Sequence, residues 1–380
     1  MADNPLKRLT ALGQSIWLDY IRRDLITSGQ LRRLIEDDAL RGMTSNPAIF
    51  EKAISGSRAY DDDIRALTLE GKSVQGVYEA ISQHDVRSAA DEFRPVYDQA
   101  DGKDGFVSLE VNPHLAFDTQ GTIDEALRLW SALDRPNVFI KVPATVDGLP
   151  AIRQLISEGI NVNVTLLFGL PRYRQVAEAY LSGIEERALQ GKSVKHVASV
   201  ASFFVSRIDA LLDPILARII AEGGPRAETA RAVQGQVAIA SAKLAYRIYK
   251  EIFTSARFVT VARKGARSQR VLWASTSTKN PAYSDVKYVE ALIGPETVNT
   301  LPPETLEAYR HHGDPEARLD RGLDEAEVTL RRLRELGINL DGVTQQLENE
   351  GVEKFNQPFD KLLDTLAKTS PLRGSDAPNR

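Results

Sequence analysis

A lysine stands in the middle of an apolar run, and its amine is the group of this sequence best suited to covalent chemistry. Lys141 follows Val138, Phe139 and Ile140 and precedes Val142. Such surroundings disfavour the charged ammonium, and a desolvated lysine amine forms Schiff bases with carbonyl compounds. The ordinary alternative is a lysine whose stem packs while its head reaches water. Because apolar residues stand on both sides of Lys141, the sequence favours the catalytic interpretation.

Two carboxylic acids occupy comparable positions in other apolar runs. Asp19 lies in the run SIWLDY, and Glu110 lies in GFVSLEV. Schiff-base chemistry needs a base for the proton that moves when a carbon–carbon bond breaks, and a carboxylate at a strand end suits this role. Metal-dependent carbonyl chemistry is the competing mechanism, but the five histidines form no HExxH or HxxxH motif and the chain has no cysteine. We therefore expect neither a metal nor a cofactor.

Other polar side chains stand at or just after the apolar runs. Taken singly, each has a structural explanation, since an Asn before Pro shapes a turn and a Ser or Thr in a strand is often a satisfied hydroxyl. Taken together, they include charges that are costly to bury unless they are paired. The set consists of Asp19, Thr44, Asn46, Glu110, Asn112, Lys141, Asn163, Thr165, Ser202, Arg207, Ser275 and Lys279. Barrel enzymes gather active-site residues from the carboxyl ends of several strands, so the set predicts one site.

Short runs rich in β-branched and aromatic residues alternate with longer segments of helical spacing. The predicted strands are residues 15–20, 42–47, 105–111, 137–143, 161–168, 196–205, 270–275 and 297–302, and helices are predicted at 77–100, 122–133, 171–189 and 236–253. The alternation is typical of an α/β protein, and eight such units predict a single (β/α)8 TIM barrel. An open doubly wound sheet is the alternative. It is disfavoured because no Gly-rich nucleotide motif follows the first strand.

The pattern changes near residue 303. We assign residues 1–302 to the catalytic barrel, 303–370 to a C-terminal helical extension packed on the barrel, and 371–380 to a flexible tail. The extension carries an apolar stripe opposed by frequent charges, which is typical of a helix with one buried face. The stripe consists of Val343, Leu347, Val352, Phe355, Phe359, Leu362 and Leu363. We expect no chemistry in this extension.

Charge and composition limit the partners of the chain. Forty-eight Lys and Arg residues against 52 Asp and Glu residues leave a net charge of −4, so no basic field attracts nucleic acid or an anionic membrane. The N-terminal region is interrupted by charges and lacks the apolar core of a signal peptide. No apolar run is long enough to cross a bilayer. We expect a cytoplasmic protein whose partners are small molecules.

Four motifs, in order along the chain, resemble those of the transaldolase family. They are TSNPAI at 44–49, IKVPAT at 140–145, NVNVTLLF at 161–168 and SVASFFVSRID at 199–209. The segment WASTSTKNP at 273–281 is similar to the seventh strand of the longer bacterial branch. The resemblance runs from about residue 10 to about residue 310.

The resemblance implies a metal-independent class I aldolase-type barrel. Its reaction would transfer a dihydroxyacetone unit from sedoheptulose 7-phosphate to glyceraldehyde 3-phosphate, giving erythrose 4-phosphate and fructose 6-phosphate in the pentose phosphate pathway. The partners would be sugar phosphates, and the chain would be a monomer or a homodimer. Lys141 would form the imine, Asp19 would take the proton of the C4 hydroxyl, and Glu110 with Thr165 would hold the proton-carrying water.

The same resemblance implies the residues that bind substrate. Asn46, Asn163 and Ser202 would bind the hydroxyls of the held three-carbon unit, with Thr44 beside them and Phe204 as an apolar wall, while Arg207, Ser275 and Lys279 would bind the phosphate. Two positions depart from the shorter transaldolases. Ser277 stands where these carry a second arginine, and Phe203 stands where they often carry proline.

Two other functions remain open. Fructose 6-phosphate aldolase, a shorter relative, cleaves without transfer, has a tyrosine at the position of Glu110 and lacks the long extension. A catalytically silent sugar-phosphate binder would need a lost catalytic group, whereas Lys141, Asp19 and Glu110 are all present. Transfer is therefore the favoured function.

Overall fold

The sheet of this protein closes on itself. A computed structural model describes residues 4–369, in which eight parallel strands follow one another around a closed barrel in the order β1 to β8. The strands are β1 (Gln14–Asp19), β2 (Leu40–Thr44), β3 (Phe106–Glu110), β4 (Val138–Pro143), β5 (Val162–Leu167), β6 (Ser199–Phe204), β7 (Arg270–Ala274) and β8 (Thr297–Leu301). The predicted (β/α)8 TIM barrel is confirmed. The predicted tail at 371–380 lies outside the described residues.

Helices connect the strands and continue beyond them. They are α1 (Pro5–Ala11), α2 (Arg23–Thr27), α3 (Gln30–Asp37), α4 (Pro47–Ser55), α5 (Asp61–Leu69), α6 (Val74–Gln99), α7 (Thr119–Leu133), α8 (Gly148–Glu158), α9 (Leu170–Leu189), α10 (Ser206–Glu222), α11 (Pro225–Val233), α12 (Val237–Phe253), α13 (Ala256–Ala262), α14 (Lys287–Ala291), α15 (Pro303–His312), α16 (Leu323–Glu335) and α17 (Leu340–Thr369). Short 3₁₀ turns span Arg58–Tyr60 and Pro113–Leu115. The four predicted helices are confirmed as α6, α7, α9 and α12.

The second predicted strand was too long at its end. The strand stops at Thr44, and the next helix, α4, begins at Pro47. The side chain of Asn46 accepts a hydrogen bond from the backbone N–H of Ile49 at 3.0 Å. An Asn cap followed by Pro at the first helical position is a strong start signal for a helix, and here it ends the strand.

Aromatic rings fill the barrel below its carboxyl end. The ring centroids of Trp17 and Phe139 are 6.0 Å apart, and those of Phe106 and Phe139 are 4.3 Å apart. A Cβ atom at Gly42 would lie 2.6 Å from the indole of Trp17, so only glycine fits there. Alternate strand residues share a face, which places this aromatic layer one step below Asp19 and Lys141. It forms a rigid floor under the candidate site.

The last helix packs across the strand ends. Helix α17 contacts α4, α6, α10 and β5. Its predicted apolar stripe is confirmed, because five of its seven residues are buried and Val343 and Leu363 are packed against the core. A Cβ atom at Gly351 would lie 3.0 Å from the side chain of Leu166 at the end of β5, so the helix approaches the barrel closely there. No helix within residues 4–369 is long and apolar enough to span a membrane.

Candidate active site

Lys141 lies inside the barrel, on β4 between β3 and β5. Its register partners are Glu110 on β3 and Asn163 on β5. The residue is only 5% exposed, and its Nζ donates a hydrogen bond to the carbonyl of Ser45 at 3.0 Å. The same nitrogen lies 3.4 Å from Oε2 of Glu110. The lysine therefore does not extend into bulk water, and a carboxylate lies beside its amine.

Glu110 is enclosed as completely as the lysine. Burial raises the pKa of its carboxyl to about 7, although the neighbouring Lys141 opposes the rise. Within residues 4–369, Oε2 of Glu110 and the hydroxyl of Thr165 are both buried and make no hydrogen bond. A buried polar oxygen without a partner is costly. These two oxygens are therefore suited to accept a bound water or a substrate group.

Asp19 is a second acidic residue at the site. Its Oδ1 accepts a hydrogen bond from Thr44 at 2.7 Å, and the Thr44 hydroxyl also lies 2.7 Å from that of Thr300 on β8. Burial raises the pKa of Asp19, while the charge of Lys141 and the Thr44 hydrogen bond oppose this effect. A carboxylate held by one hydroxyl and raised in pKa has the properties of a proton acceptor.

A hydrogen-bond chain crosses from β3 to β6 next to the lysine. Asn163 donates to the hydroxyl of Ser108 at 3.1 Å and accepts from the hydroxyl of Ser202 at 2.7 Å. Asn163 is fully buried, whereas Ser202 reaches the cavity wall. Asn46 uses its side-chain oxygen to cap α4, and its amide nitrogen makes no hydrogen bond within residues 4–369.

A cavity of about 170 Å³ opens above these groups at the carboxyl end of the barrel. Nine of the twelve residues with an expected catalytic or binding role line it, and Glu110, Asn46 and Asn163 do not. Asn112 does not line it either, and its side chain accepts a hydrogen bond from the backbone N–H of His114. Its lining consists of Asp19, Thr44, Lys141, Thr165, Ser202, Phe204, Arg207, Ala274, Ser275, Ser277, Lys279, Thr300, Pro302 and Glu304. A larger groove of about 860 Å³ runs between α8 and α9 on the outer surface, but charged residues along it, such as Arg153 and Glu186, pair with each other.

Two cations also line the cavity. Arg207, at the start of α10, makes no hydrogen bond or ion pair with any residue in 4–369, and burial lowers its pKa. Lys279 donates to the hydroxyl of Ser277 at 2.5 Å. Although much of its side chain is exposed, burial of its amine and the charge of Arg207 lower the pKa of Lys279. The charge of Glu304, which also lines the cavity, partly opposes this effect on Lys279. Two cations on one cavity wall are suited to bind an anion.

Unusual backbone conformations flank the site. Leu166, next to Thr165, has a φ of +56° at a break in the pairing of β5 with β6. Ser275, directly after β7, has a φ of +55°. A left-handed conformation costs a residue with a side chain about 1–2 kcal/mol. Such conformations cluster at functional sites, where the surrounding structure enforces them.

The C-terminal extension, in which we expected no chemistry, borders the candidate site. The ring of Phe355 on α17 lies 5.8 Å from Nζ of Lys141. The helix is anchored nearby by an ion pair of 3.1 Å between Arg172 and Glu348, whose side chains are 11% and 5% exposed. An apolar ring of the extension therefore lies close to the amine of Lys141.

Thr300, Glu304 and Phe355 are among the residues at the site that were not predicted from sequence. Thr300 could have been found, because it is a polar residue at the end of the eighth strand. Glu304, at the start of α15, stands among residues of no distinctive pattern. Phe355 appeared only as one member of an apolar stripe, and its place beside Lys141 depends on how α17 crosses the barrel.

The arrangement is suited to carbonyl chemistry on a phosphorylated compound. An enclosed amine can attack a carbonyl carbon, two carboxyl groups can exchange protons with it, and a pair of cations can hold a dianionic group. Within residues 4–369, no group of three or more His, Asp or Glu side chains is placed to hold a metal ion.

Comparison with known proteins gives matches over nearly the whole chain. The family described as Transaldolase/Fructose-6-phosphate aldolase matches residues 16–366. The protein named Transaldolase of Trichodesmium erythraeum is 48% identical over 370 residues, which cover 96% of this chain and 97% of that relative. The protein of the same name from Acidothermus cellulolyticus is 48% identical, and the match covers 96% of this chain and 97% of that relative. The one from Thiobacillus denitrificans is 45% identical, and the match covers 95% of this chain and 99% of that relative. The match includes the barrel and most of α17.

Proposed function

The chain belongs to the transaldolase/fructose-6-phosphate aldolase family, and we propose that it is a transaldolase acting through a Schiff base on Lys141. It would take a dihydroxyacetone unit from sedoheptulose 7-phosphate and pass it to glyceraldehyde 3-phosphate. The products would be erythrose 4-phosphate and fructose 6-phosphate. The observation that carries this proposal is the enclosed amine of Lys141 at 3.4 Å from a carboxyl group whose pKa lies near neutrality.

Imine formation is the first step. The Lys141 nitrogen attacks the ketose carbonyl, and one molecule of water leaves as the carbon–nitrogen double bond forms. Glu110 is suited to pass protons to and from this centre because its pKa of about 7 lets it exchange them at neutral pH. Oε2 of Glu110 and the hydroxyl of Thr165 make no hydrogen bond within residues 4–369, which supports a shared water as the carrier.

Carbon–carbon cleavage follows. Asp19 takes the proton of the C4 hydroxyl, the C3–C4 bond breaks, and its electrons pass to the imine nitrogen to give an enamine and free erythrose 4-phosphate. The hydrogen bond from Thr44 supports this role because it fixes the Asp19 carboxylate within the cavity wall. Thr300 orients Thr44 in turn.

The three-carbon unit then waits for the acceptor aldehyde. Ser202, and behind it Asn163, offer hydrogen bonds to its hydroxyls, and Asn46 has a free amide group. Phe204 in the cavity wall and Phe355 near the lysine offer apolar surface to the enamine, which would limit protonation by water before the acceptor arrives. Addition to glyceraldehyde 3-phosphate and hydrolysis release fructose 6-phosphate and restore the amine.

Arg207, Ser275 and Lys279 are the proposed phosphate ligands. Both cations line the same cavity as Lys141, so the phosphate of a sugar bound in this cavity can reach them. Arg207 offers a planar fork of donors, and Lys279 offers a point charge. The substituted position Ser277 contributes a hydroxyl beside Lys279 instead of a second guanidinium.

Transfer and simple cleavage can be distinguished in one experiment. The purified chain is given fructose 6-phosphate with and without erythrose 4-phosphate, and glyceraldehyde 3-phosphate and free dihydroxyacetone are measured separately. A transaldolase releases glyceraldehyde 3-phosphate mainly when the acceptor is present. Free dihydroxyacetone at a comparable rate without the acceptor would instead support fructose 6-phosphate aldolase activity.

The remaining proposals concern organisation. We infer a catalytic barrel at 1–302 with a helical extension from 303, in which α15 to α17 pack on the barrel. We also propose a cytoplasmic enzyme that is a monomer or a homodimer and does not bind nucleic acid, consistent with the net charge of −4. Size-exclusion chromatography with light scattering measures the oligomeric state.

A further inference from the structure

The two cations of the phosphate site come from separate segments of the chain. Arg207 is the second residue of α10, and Lys279 belongs to the loop between β7 and α14. The segments are joined where they begin, by backbone hydrogen bonds from Val205 to Ala274 and from Ser206 to Ser275, at 2.9 and 3.0 Å. Like charges repel, so the two cations need a further restraint when no phosphate lies between them.

Two buried carboxylates on α10 supply contacts to this loop and to α14, which follows it. Asp209 and Asp213 are 1% and 8% exposed and lie one helical turn apart. Tyr288 donates to Oδ2 of Asp209 at 2.9 Å, and Tyr283 donates to Oδ2 of Asp213 at 2.7 Å. We call these two hydrogen-bonded pairs, Tyr283–Asp213 and Tyr288–Asp209, the tyrosine–aspartate clamp.

Backbone groups and one lysine complete the surroundings of the clamp. The other oxygen of each carboxylate accepts a backbone N–H, from Ala238 for Asp209 and from Gly235 for Asp213, both at 2.8 Å. Lys287 donates to the carbonyl of Gly235 at 2.6 Å, and its amine lies 3.5 Å from the centre of the Tyr283 ring.

The residues of the clamp do not contact the cavity in which the proposed reaction takes place. None of the four clamp residues lines the cavity. Buried carboxylates are costly, and burial raises the pKa of Asp209 to about 6. An apolar contact could join the helix and the loop without the free-energy cost of burying a carboxylate. Tyrosine–carboxylate hydrogen bonds, however, fix both the distance and the direction between the two segments.

We propose that the tyrosine–aspartate clamp positions Arg207 against Lys279, so that the phosphate site is already assembled before substrate arrives. Arg207 precedes Asp209 by two residues on one helix, and Lys279 precedes Tyr283 by four residues in one loop, so each cation is tied to one side of the clamp. This inference rests on the proposed function, because it concerns affinity for the substrate phosphate. The four clamp residues are positioning residues.

The test compares Tyr283→Phe and Tyr288→Phe with Tyr180→Phe. Tyr180 is a matched control, because its hydroxyl donates to the carbonyl of Arg267 and neither residue lines the candidate site. Steady-state rates are measured with fructose 6-phosphate as donor and erythrose 4-phosphate as acceptor. We expect the clamp variants to raise KM for fructose 6-phosphate about tenfold, the effect of losing one hydrogen bond to a charged group, with kcat changed less than twofold.

Inorganic phosphate gives a second readout that does not depend on turnover of a sugar. Its inhibition constant against fructose 6-phosphate should rise in the clamp variants by the same factor as KM. The rate with unphosphorylated fructose as donor should be unchanged relative to the wild type. Tyr180→Phe should leave all three quantities at their wild-type values.

The inference would be overturned if both clamp variants kept the wild-type KM and the wild-type phosphate inhibition constant. It would also be overturned if their rates fell equally with fructose 6-phosphate and with unphosphorylated fructose. If Tyr288→Phe does not fold, Tyr283→Phe decides, since Tyr283 is only partly buried. Failure of the proposed function is a different result, because then the wild-type chain itself would show no transfer.

Discussion

The amine of Lys141 lies 3.4 Å from the carboxyl group of Glu110, and both residues are less than 10% exposed. Neighbouring strands β3 and β4 place the two residues in register, so the distance is set by the sheet and not by a flexible loop. The enclosure raises the pKa of Glu110 to about 7, and the amine opposes this by its positive charge. The Glu110 carboxyl can therefore gain and lose a proton near neutral pH beside the amine, and imine formation and hydrolysis both require such a group.

The pH dependence of activity should report Glu110. Its ionised form accepts a proton, so we expect kcat/KM to fall as the pH drops below about 7, where the carboxyl becomes protonated. In Glu110→Gln this acid limb should disappear together with most of the activity. The control is Glu304→Gln, which removes another carboxylate of the cavity and should keep the limb. An unchanged limb in Glu110→Gln would assign the ionisation to another group.

Glu110 should also influence the fate of the three-carbon unit. A tyrosine occupies its position in the cleaving relatives, so Glu110→Tyr should lower transfer relative to simple cleavage. The measurement is the ratio of glyceraldehyde 3-phosphate formed with acceptor to dihydroxyacetone released without it. The same ratio in variant and wild type would remove Glu110 from the proposed water relay.

Phe355 should keep water away from the enamine. Phe355→Leu replaces the ring that lies 5.8 Å from Lys141 by a smaller side chain. We expect release of free dihydroxyacetone to rise several-fold while transfer falls. Phe359→Leu is the matched control on the same helix, because Phe359 packs against Tyr78 and His114 instead of the lysine. Each variant should lose about 1 kcal/mol of unfolding free energy, since the exchange keeps most of the buried apolar volume. Equal dihydroxyacetone release from both variants would argue against a shielding role.

The two phosphate cations should contribute unequally. Arg207 is half-buried and makes no other pairing within the described residues, whereas Lys279 is exposed and bonded to Ser277. We expect Arg207→Gln to raise KM for fructose 6-phosphate about a hundredfold and Lys279→Gln about tenfold, since charge-assisted and bidentate contacts are the stronger ones. Steady-state kinetics with fructose 6-phosphate and with unphosphorylated fructose separates phosphate binding from catalysis. The reverse order of the two effects would assign the main phosphate contact to Lys279.

Much of the fold was predictable because its elements are encoded locally. Every predicted strand lies within three residues of its observed bounds, since apolar β-branched runs and turn residues mark each one. Lys141 was predictable for a related reason, because a charged residue inside such a run must find a partner. Asn46 was harder. It was included in a strand, but its side chain is the cap that ends that strand.

The residues that were missed depend on contacts between distant segments. Phe355 reaches Lys141 only because α17 crosses the carboxyl end of the barrel, and no local pattern specifies that path. The hydrogen bond between Thr44 and Thr300 joins β2 to β8 across the barrel, so it requires the closed sheet. Tyr283 and Tyr288 likewise form hydrogen bonds to α10, which lies far away in the sequence, so no local pattern identifies them.

The central claim is that Lys141 holds half of a sugar covalently. Borohydride reduces a Schiff base to a stable amine, so the chain is incubated with fructose 6-phosphate and borohydride, digested and analysed by mass spectrometry. The account predicts a dihydroxyacetone-derived adduct on Lys141, with loss of activity, and neither adduct nor turnover in a folded Lys141→Ala variant. An unmodified Lys141 in active wild-type chain, or substantial turnover by Lys141→Ala, would contradict it.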